Sequence, residues 1–307
     1  MIFSEKGGRE MADERETRRP RADVDGVAYV YAPGTPRGAV NELFPHMRVV
    51  SALASFNVGL DDDRRSAGKH FSPHFDSPVG FGRIAACAGF LGVVGGVHAC
   101  VGAQAAWSAL ISGTEGLTVL RWCLYALFMV VFHSLEFVLT AAYNPRTATS
   151  ESFLLNHSKA YKIAAVAAWI EYAIESALFP ALKSSRATLF VGFCVLLAGQ
   201  TIRTAAMAQA KSNFTHQVAN QKQSKHRLVT SGLYAHLRHP SYFGWFWWSV
   251  GTQVLLANPL CAVAYFAASW KFFAERIPHE EDALARFFPD EYPAYKARTR
   301  VGIPFIA

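Results

Sequence analysis

The chain is short of charge. Asp, Glu, Lys and Arg make up 17% of its 307 residues, where a soluble domain carries about 25%. Hydrophobic residues reach 51%, which sets aside an ordinary water-soluble globule as the first reading. Cysteine is sparse and badly spaced for chemistry. Cys87, Cys100, Cys123, Cys194 and Cys261 are odd in number, and no pair has metal-ligand spacing. A disulfide framework and a zinc site are both disfavoured. The cysteines read as small buried hydrophobes, and no metal is expected. The start of the chain has no apolar h-region, because Glu5 to Arg21 is dense in charge, so a secretory signal is not expected. No internal repeat is evident. A Gly-rich dinucleotide fingerprint is also missing. That removes one cofactor motif but not a cofactor, which a pocket of loops over helices could still hold.

The charge that is present leans basic, with a formal net of +7. Nucleic acid is not the expected partner, because Lys and Arg sit in short segments between apolar runs, where the positive-inside rule accounts for them. Residues 1–78 stand apart in composition and are expected to form a largely disordered cytosolic arm, too charged to bury a core. Within it, Leu43 to Leu60 is mildly apolar but broken by Pro45, His46 and Arg48. It reads as an interfacial segment or loop.

From Phe81 the texture changes. Apolar stretches cover about Phe81 to Leu110, Leu117 to Tyr143, Tyr161 to Pro180 and Ala187 to Ala210. Each is long enough for a bilayer core that takes roughly 20 helical residues. The first exceeds one crossing, which allows tilt or a break. A polar segment, Lys211 to Pro240, follows. Tyr242 to Ala257 and Leu260 to Phe273 are then split by Asn258-Pro259, which reads as the turn of a helical hairpin. The expected architecture is an all-α polytopic membrane protein of about six transmembrane helices, four within residues 79–210 and two in the hairpin of a catalytic region, 211–307. Arg146, Lys159, Lys162, Lys211, Lys222, Lys225 and Arg227 put the connecting loops, the arm and the tail on the cytosolic side. Arg121, Lys183 and Arg186 fall on the other side.

Ionisable residues inside apolar stretches are costly and default to functional candidates. His133 and Glu136 share one helix face, as do Glu171 and Glu175, and as do Gln200 and Arg203. The Glu pairs read first as glue satisfied across the bundle. Arg203, about two turns from the polar segment, is open between structure and contact with an anionic substrate. Around Arg238-His239-Pro240 the proline imposes an extended backbone. His226, Tyr234, His239 and Tyr242 there offer stacking and hydrogen bonds suited to adenine or ribose. Trp245, Trp247 and Trp248 read as interfacial aromatics. Beyond the hairpin, Pro278 suits the first turn of a new helix, with Glu280 and Glu281 near its positive end. Arg276 is a planar fork suited to gripping a carboxylate. Phe287-Phe288, Tyr292, Tyr295 and Gly302-Ile303-Pro304 read as a tail folded under the hairpin.

An ordered series of motifs carries a resemblance. It begins with Glu136-Phe137, Tyr143-Asn144-Pro145 and Ser152 to Ser158. It continues with Arg203 to Met207, Asn213-Phe214-Thr215-His216 and Leu228 to Trp245. It ends with Gly251-Thr252-Gln253, Asn258-Pro259, Arg276, Glu280-Glu281 and Gly302-Ile303-Pro304. In this order they resemble the isoprenylcysteine carboxyl methyltransferases over about residues 80–307, in the shorter fungal layout. The resemblance implies methyl esterification of the C-terminal carboxylate of a prenylated cysteine, with S-adenosylmethionine as cofactor, in the endoplasmic reticulum membrane. It implies prenylated CaaX-processed proteins such as small GTPases as partners, and a cytosolic pocket formed by the loop before the hairpin and the C-terminal tail. By the same resemblance His226, Arg227, Leu228, Val229, Tyr234, His239, Pro240, Ser241, Tyr242 and Glu280 bind the cofactor. Arg276 meets the substrate carboxylate, and Arg203 joins it as a catalytic candidate. One departure is that Ala219 stands where the family often has a Gln contacting the cofactor. The alternatives are a membrane sterol-type reductase using NADPH, and a non-enzymatic membrane scaffold or transporter with the Glu pairs as an ion path.

Overall fold

The computed structural model describes residues 77–111, 116–156, 158–218, 221–222 and 226–307. The expectations for the N-terminal arm before residue 77, for Leu43 to Leu60 and for Ala219 lie outside the described residues. What is described is helical: α1 (Pro78–Ile111), α2 (Leu117–Tyr143), α3 (Lys159–Leu178), a short α4 (Pro180–Lys183), α5 (Arg186–Ala210), α6 (Pro240–Leu256), α7 (Pro259–Phe287) and α8 (Tyr292–Arg298), with 3₁₀ turns between some of them. Ser158 and Ser185 accept hydrogen bonds from the amides of Tyr161 and Thr188 and so cap α3 and α5. Each of the six apolar stretches read from the sequence is a helix. Three of them, over Val79–Ile111, Leu117–Tyr143 and Arg186–Asn213, are long and apolar enough to cross a membrane. α3 carries Glu171 and Glu175, and α6 has only 17 residues. α1 is one unbroken helix of 34 residues, so length is accommodated there without a break.

The centre of the bundle is the contact of α5 with α6, and glycines make it close. A Cβ on Gly199 would lie 2.5 Å from the Trp248 amide nitrogen and 2.7 Å from the Gly244 carbonyl oxygen. A Cβ on Gly244 would lie 2.6 Å from the Arg203 nitrogen. Small residues let helix backbones touch where lipid supplies no hydrophobic drive between them. Leu196, Trp248, Leu255 and Leu256 close the core with Phe132, which stacks on Trp248 at 4.1 Å between ring centroids.

The hairpin turn lies at Asn258-Pro259, and buried charges hold it. Arg121 is fully buried and donates to the carbonyls of Lys183, Leu255 and Ser185 and to Thr188 Oγ1. Lys183 donates to the Leu256 and Ala257 carbonyls, which end α6. Glu171 accepts from the amides of Leu260 and Cys261 at the start of α7, at 2.8 and 2.7 Å. Cations thus cover orphan carbonyls at one helix end and an anion covers orphan amides at the other. Arg186 likewise donates to the Ala109 carbonyl, at 2.8 Å. The three cations that dissent from the loop-charge pattern are therefore engaged in holding helix ends.

α7 departs from the expectation at Pro278. No new helix starts there; the proline lies inside a helix of 29 residues. An interior proline costs about 3 kcal/mol, and packing on both sides of it sustains the helix. Phe273, Ile277 and Glu281 repeat every four residues across the proline, and all three are buried. The tail then returns. Trp270 Nε1 donates to the Pro304 carbonyl at 2.8 Å, and Val301 and Ile303 pack with Phe246, Phe273 and Ile277.

Candidate active site

The polar segment before α6 is pinned by the tail. The Arg238 amide donates to the Arg300 carbonyl and the Arg300 amide to the His236 carbonyl, at 3.0 and 3.3 Å. Pro240 is the first residue of α6, and His239 before it adopts φ −126° and ψ 58°. The backbone at His239 is therefore short of fully extended, because the helix already begins at Pro240. Here a cavity of about 130 Å³ opens, lined by Ala210, Asn213, Phe214, Thr215, Arg227, Leu228, Val229, Tyr234, Arg238, His239, Pro240, Ser241, Tyr242, Glu280, Leu284 and Tyr295. A second, of about 90 Å³, adjoins it, and His226, Arg227, Ala283, Phe287 and Phe288 are among its walls.

Nine of the ten residues expected at a cofactor border the first cavity, and His226 borders the second. Asn213, Phe214, Thr215, Leu284 and Tyr295 line the first cavity as well; the first three stand in the motif series and Tyr295 in the returning tail, but none is among the residues expected at the cofactor, and nothing in sequence singles out Leu284. They arrive because α5 ends in a 3₁₀ turn at Lys211–Asn213 and because α7 and α8 fold back. The aromatic-and-amide stretch Asn213-Phe214-Thr215 directly after an apolar helix was the available signal.

Two carboxylates organise the polar wall. Tyr242 donates its phenol proton to Glu280 and accepts from Arg276 Nε at 2.9 Å. Arg276 Nη2 donates to the His216 carbonyl at 2.6 Å, and the guanidinium lies over the rings of Tyr242 and Phe272. Glu281, one residue on, is buried and bound by Arg238 Nε, His239 Nε2 and Lys296 Nζ. Burial pushes the Glu281 carboxyl up, but hydrogen bonds from His239, Arg238 and Lys296 outweigh it and hold the group at about 2. His239 also stacks on Tyr242, with centroids 5.4 Å apart and planes within 4°. Burial pushes the Tyr295 phenol up to about 12, so it stays a neutral donor to the Tyr234 carbonyl, at 2.8 Å.

Arg203 points to an anion of the protein itself. Its Nε and Nη2 engage both oxygens of Glu136 on α2, and its Nη1 reaches the Ser241 carbonyl at 3.4 Å. It borders neither cavity. Arg276 also borders neither cavity, but it joins them through the shared wall residues Tyr242 and Glu280. Among the described residues no cluster of three or more His, Cys, Asp or Glu has the arrangement of a metal site.

The model of the isoprenylcysteine carboxyl methyltransferase (ICMT) family matches residues 190–286, the stretch that runs from α5 to the end of α7. The Homo sapiens protein-S-isoprenylcysteine O-methyltransferase is 43% identical over 225 residues, which are 73% of this chain and 75% of that protein. The chain belongs to the isoprenylcysteine carboxyl methyltransferase family. The Xenopus laevis relative of the same name is 49% identical over 182 residues, spanning 59% of this chain and 63% of the relative's own length. A solved structure of a eukaryotic intramembrane Ras methyltransferase of this family superposes with a TM-score of 0.67 at 37% identity, covering 88% of each chain. The matched stretch contains Arg203, the motif Arg238 to Tyr242, Arg276 and Glu280, so the family signal and the cavity coincide.

Proposed function

We propose that this protein methylates the C-terminal carboxylate of a prenylated cysteine, with S-adenosylmethionine held in the larger cavity. The observation that carries the reading is the chain Arg276–Tyr242–Glu280, which joins a guanidinium outside that cavity to a carboxylate lining it. The walls of that cavity fit a nucleoside and an amino-acid moiety. Leu228, Val229, Leu284 and Phe214 supply apolar faces, and Asn213, Thr215 and Glu280 supply polar groups for hydroxyl or ammonium partners. When bound, S-adenosylmethionine would supply a sulfonium methyl group whose carbon a carboxylate oxygen can attack in line, the carbon–sulfur bond breaking so that S-adenosylhomocysteine leaves as a neutral thioether.

The residues of the chain then have simple tasks. A C-terminal carboxylate titrates near pH ~3.5 and is ionised at neutral pH, so no general base is needed. Arg276 orients that anion through its free Nη1. Tyr242 fixes Arg276 and Glu280 in one register, and the apolar walls exclude water. Alignment of two reactants can supply roughly 7–11 kcal/mol of a barrier. The grip of Arg276 has to stay modest, since a carboxylate held too firmly is stabilised before it reacts. Arg203 acts through the Ser241 carbonyl and does not touch the substrate.

The wider setting belongs to the same proposal. α1, α2, α3, α5, α6 and the apolar first half of α7, as far as about Phe273, lie in the membrane of the endoplasmic reticulum, with the loop before the hairpin, the second half of α7 and the tail forming a pocket on the cytosolic side, where prenylated CaaX-processed proteins such as small GTPases approach with their lipid in the bilayer. The exposed apolar side chains of α1, α3 and α5, among them Val93, Trp107, Ile163, Phe190 and Leu197, suit contact with lipid. The test is transfer of tritium from S-adenosyl-[methyl-³H]methionine to N-acetyl-farnesylcysteine in membranes carrying the protein. A base-labile ester is expected. Its absence would overturn the proposal.

A further inference from the structure

We propose that His216 is the positioning residue that sets the substrate-facing fork of Arg276. This inference rests on the methyltransferase reading above. His216 makes two contacts in opposite directions. Its Nε2 lies 2.7 Å from Glu136 Oε2, and its carbonyl accepts from Arg276 Nη2 at 2.6 Å. These contacts close a circuit. From Arg276 Nε it runs to the Tyr242 hydroxyl, then one residue back to the Ser241 carbonyl, to Arg203 Nη1, to Glu136, to His216, and back to Arg276. The circuit ties α2, α5, α6 and α7 to one guanidinium. Among the described residues Nη1 of Arg276 has no partner within the chain, so it is the nitrogen left for an incoming carboxylate.

His216 is the weak link of this ring by construction. The other side-chain members sit on helices, whereas residues 214–218 have no regular secondary structure. The carbonyl that holds Arg276 is thus placed by its own side chain, through Glu136. Glu136 cannot drift, because Arg203 grips both its oxygens and its side chain is only 2% exposed. The His216 side chain is 24% exposed and turns edge-on to Phe214, so it can be replaced without opening the core. Removing the imidazole frees the carbonyl and lets the Arg276 fork swing about its remaining bond to Tyr242. The cofactor cavity meets this stretch at Asn213, Phe214 and Thr215, of which the first two are held independently of the imidazole, by the Arg227 amide and by Asn144 Nδ2, so a bound cofactor is disturbed less than the fork.

Steady-state methylation of N-acetyl-farnesylcysteine by the full chain in membranes tests this. His216→Ala is expected to raise KM for the prenylcysteine about fivefold or more, the size of one lost hydrogen bond, while KM for S-adenosylmethionine stays within about twofold. His216→Gln is expected to restore most of the loss, because its amide nitrogen stands where Nε2 does and can donate to Glu136. In an Arg276→Lys background, His216→Ala is expected to add less than about twofold, since two residues acting through one contact are not additive. An active wild type with equal losses for both substrates, or with fully additive losses in the double variant, overturns the role of His216 alone. A wild type that forms no ester overturns the methyltransferase reading and this inference together.

Discussion

The ammonium of Lys183 lies 2.9 Å from Oδ1 of Asn258, a residue 75 positions further along the chain. Asn258 stands in the hairpin turn, and Lys183 has no exposed surface at all. Its other acceptors are Glu175 and the carbonyls of Leu256 and Ala257. A residue that a charge count assigns to a loop is thus the pin of the C-terminal hairpin. Burial pulls its ammonium below the usual lysine range, opposed by Glu175. Lys183→Met would leave Glu175 and Asn258 without this donor. Breaking a buried pair in this way costs about 3–5 kcal/mol. A markedly lower thermal midpoint of the detergent-solubilised protein is expected, and removing Glu175 as well, by Glu175→Leu, is expected to recover part of it.

Gly199 marks the closest approach of α5 and α6. Its Cβ in Gly199→Ala would meet backbone atoms at 2.5 and 2.7 Å, and backbone cannot rotate away as a side chain can. Overpacking of this kind costs about 1–3 kcal/mol. Stability and methylation are both expected to fall, because Arg203 and Ser241 are brought together by this same contact. Gly82→Ala, with nothing within 4 Å, is the control and is expected to be silent in a thermal-shift measurement.

Arg276→Lys keeps the positive charge and loses the planar fork. A hydrogen bond to a charged group contributes about 1.5–3 kcal/mol, so kcat/KM for the prenylcysteine is expected to fall roughly ten- to hundredfold. Binding of S-adenosylhomocysteine, measured by calorimetry, is expected to change little. Equal losses in both would contradict the separation of the two ends of the Tyr242 bridge.

His239→Ala removes the ring stacked on Tyr242 and one partner of Glu281. The expected outcome is a raised Kd for S-adenosylhomocysteine, with a smaller change in KM for the prenylcysteine. An unchanged Kd would assign His239 to the packing of the tail.

Glu281 predicts an acid limit. Its folded carboxyl titrates at about 2 against an ordinary 4.5. A group lowered on folding stabilises fully above its unfolded value and loses that contribution as the pH falls toward the folded one. The thermal midpoint is therefore expected to drop as pH goes from 4.5 toward 2, and Glu281→Gln is expected to flatten that part of the profile.

Much of this was legible before any coordinates. Apolar length and Asn258-Pro259 announced six helices and a hairpin, because both signals are local. The motif Arg238 to Tyr242 with Glu280 stood out as a candidate site, because ring, phenol and carboxylate are unusual company for membrane-grade aromatics, and these residues line one cavity. The course of α7 through Pro278 was not legible. Proline acts on its own turn, whereas Phe273, Ile277 and Glu281 hold the helix through partners far off in sequence. The engagement of Arg203 by Glu136 was open for the same reason. A guanidinium inside an apolar stretch needs an anion, but its sequence position does not say which one.

The sequence by itself determined the helical segments, the turn between the last two and the set of side chains able to do the chemistry, since these follow from hydropathy, backbone freedom and functional-group type. Only the tertiary structure decided which charges pin helix ends, how closely α5 and α6 meet, and that Arg276, Tyr242, Glu280 and His216 converge. Those are pairings over 34 to 134 residues, and they exist only once the packed helices have brought distant donors and acceptors within bonding distance.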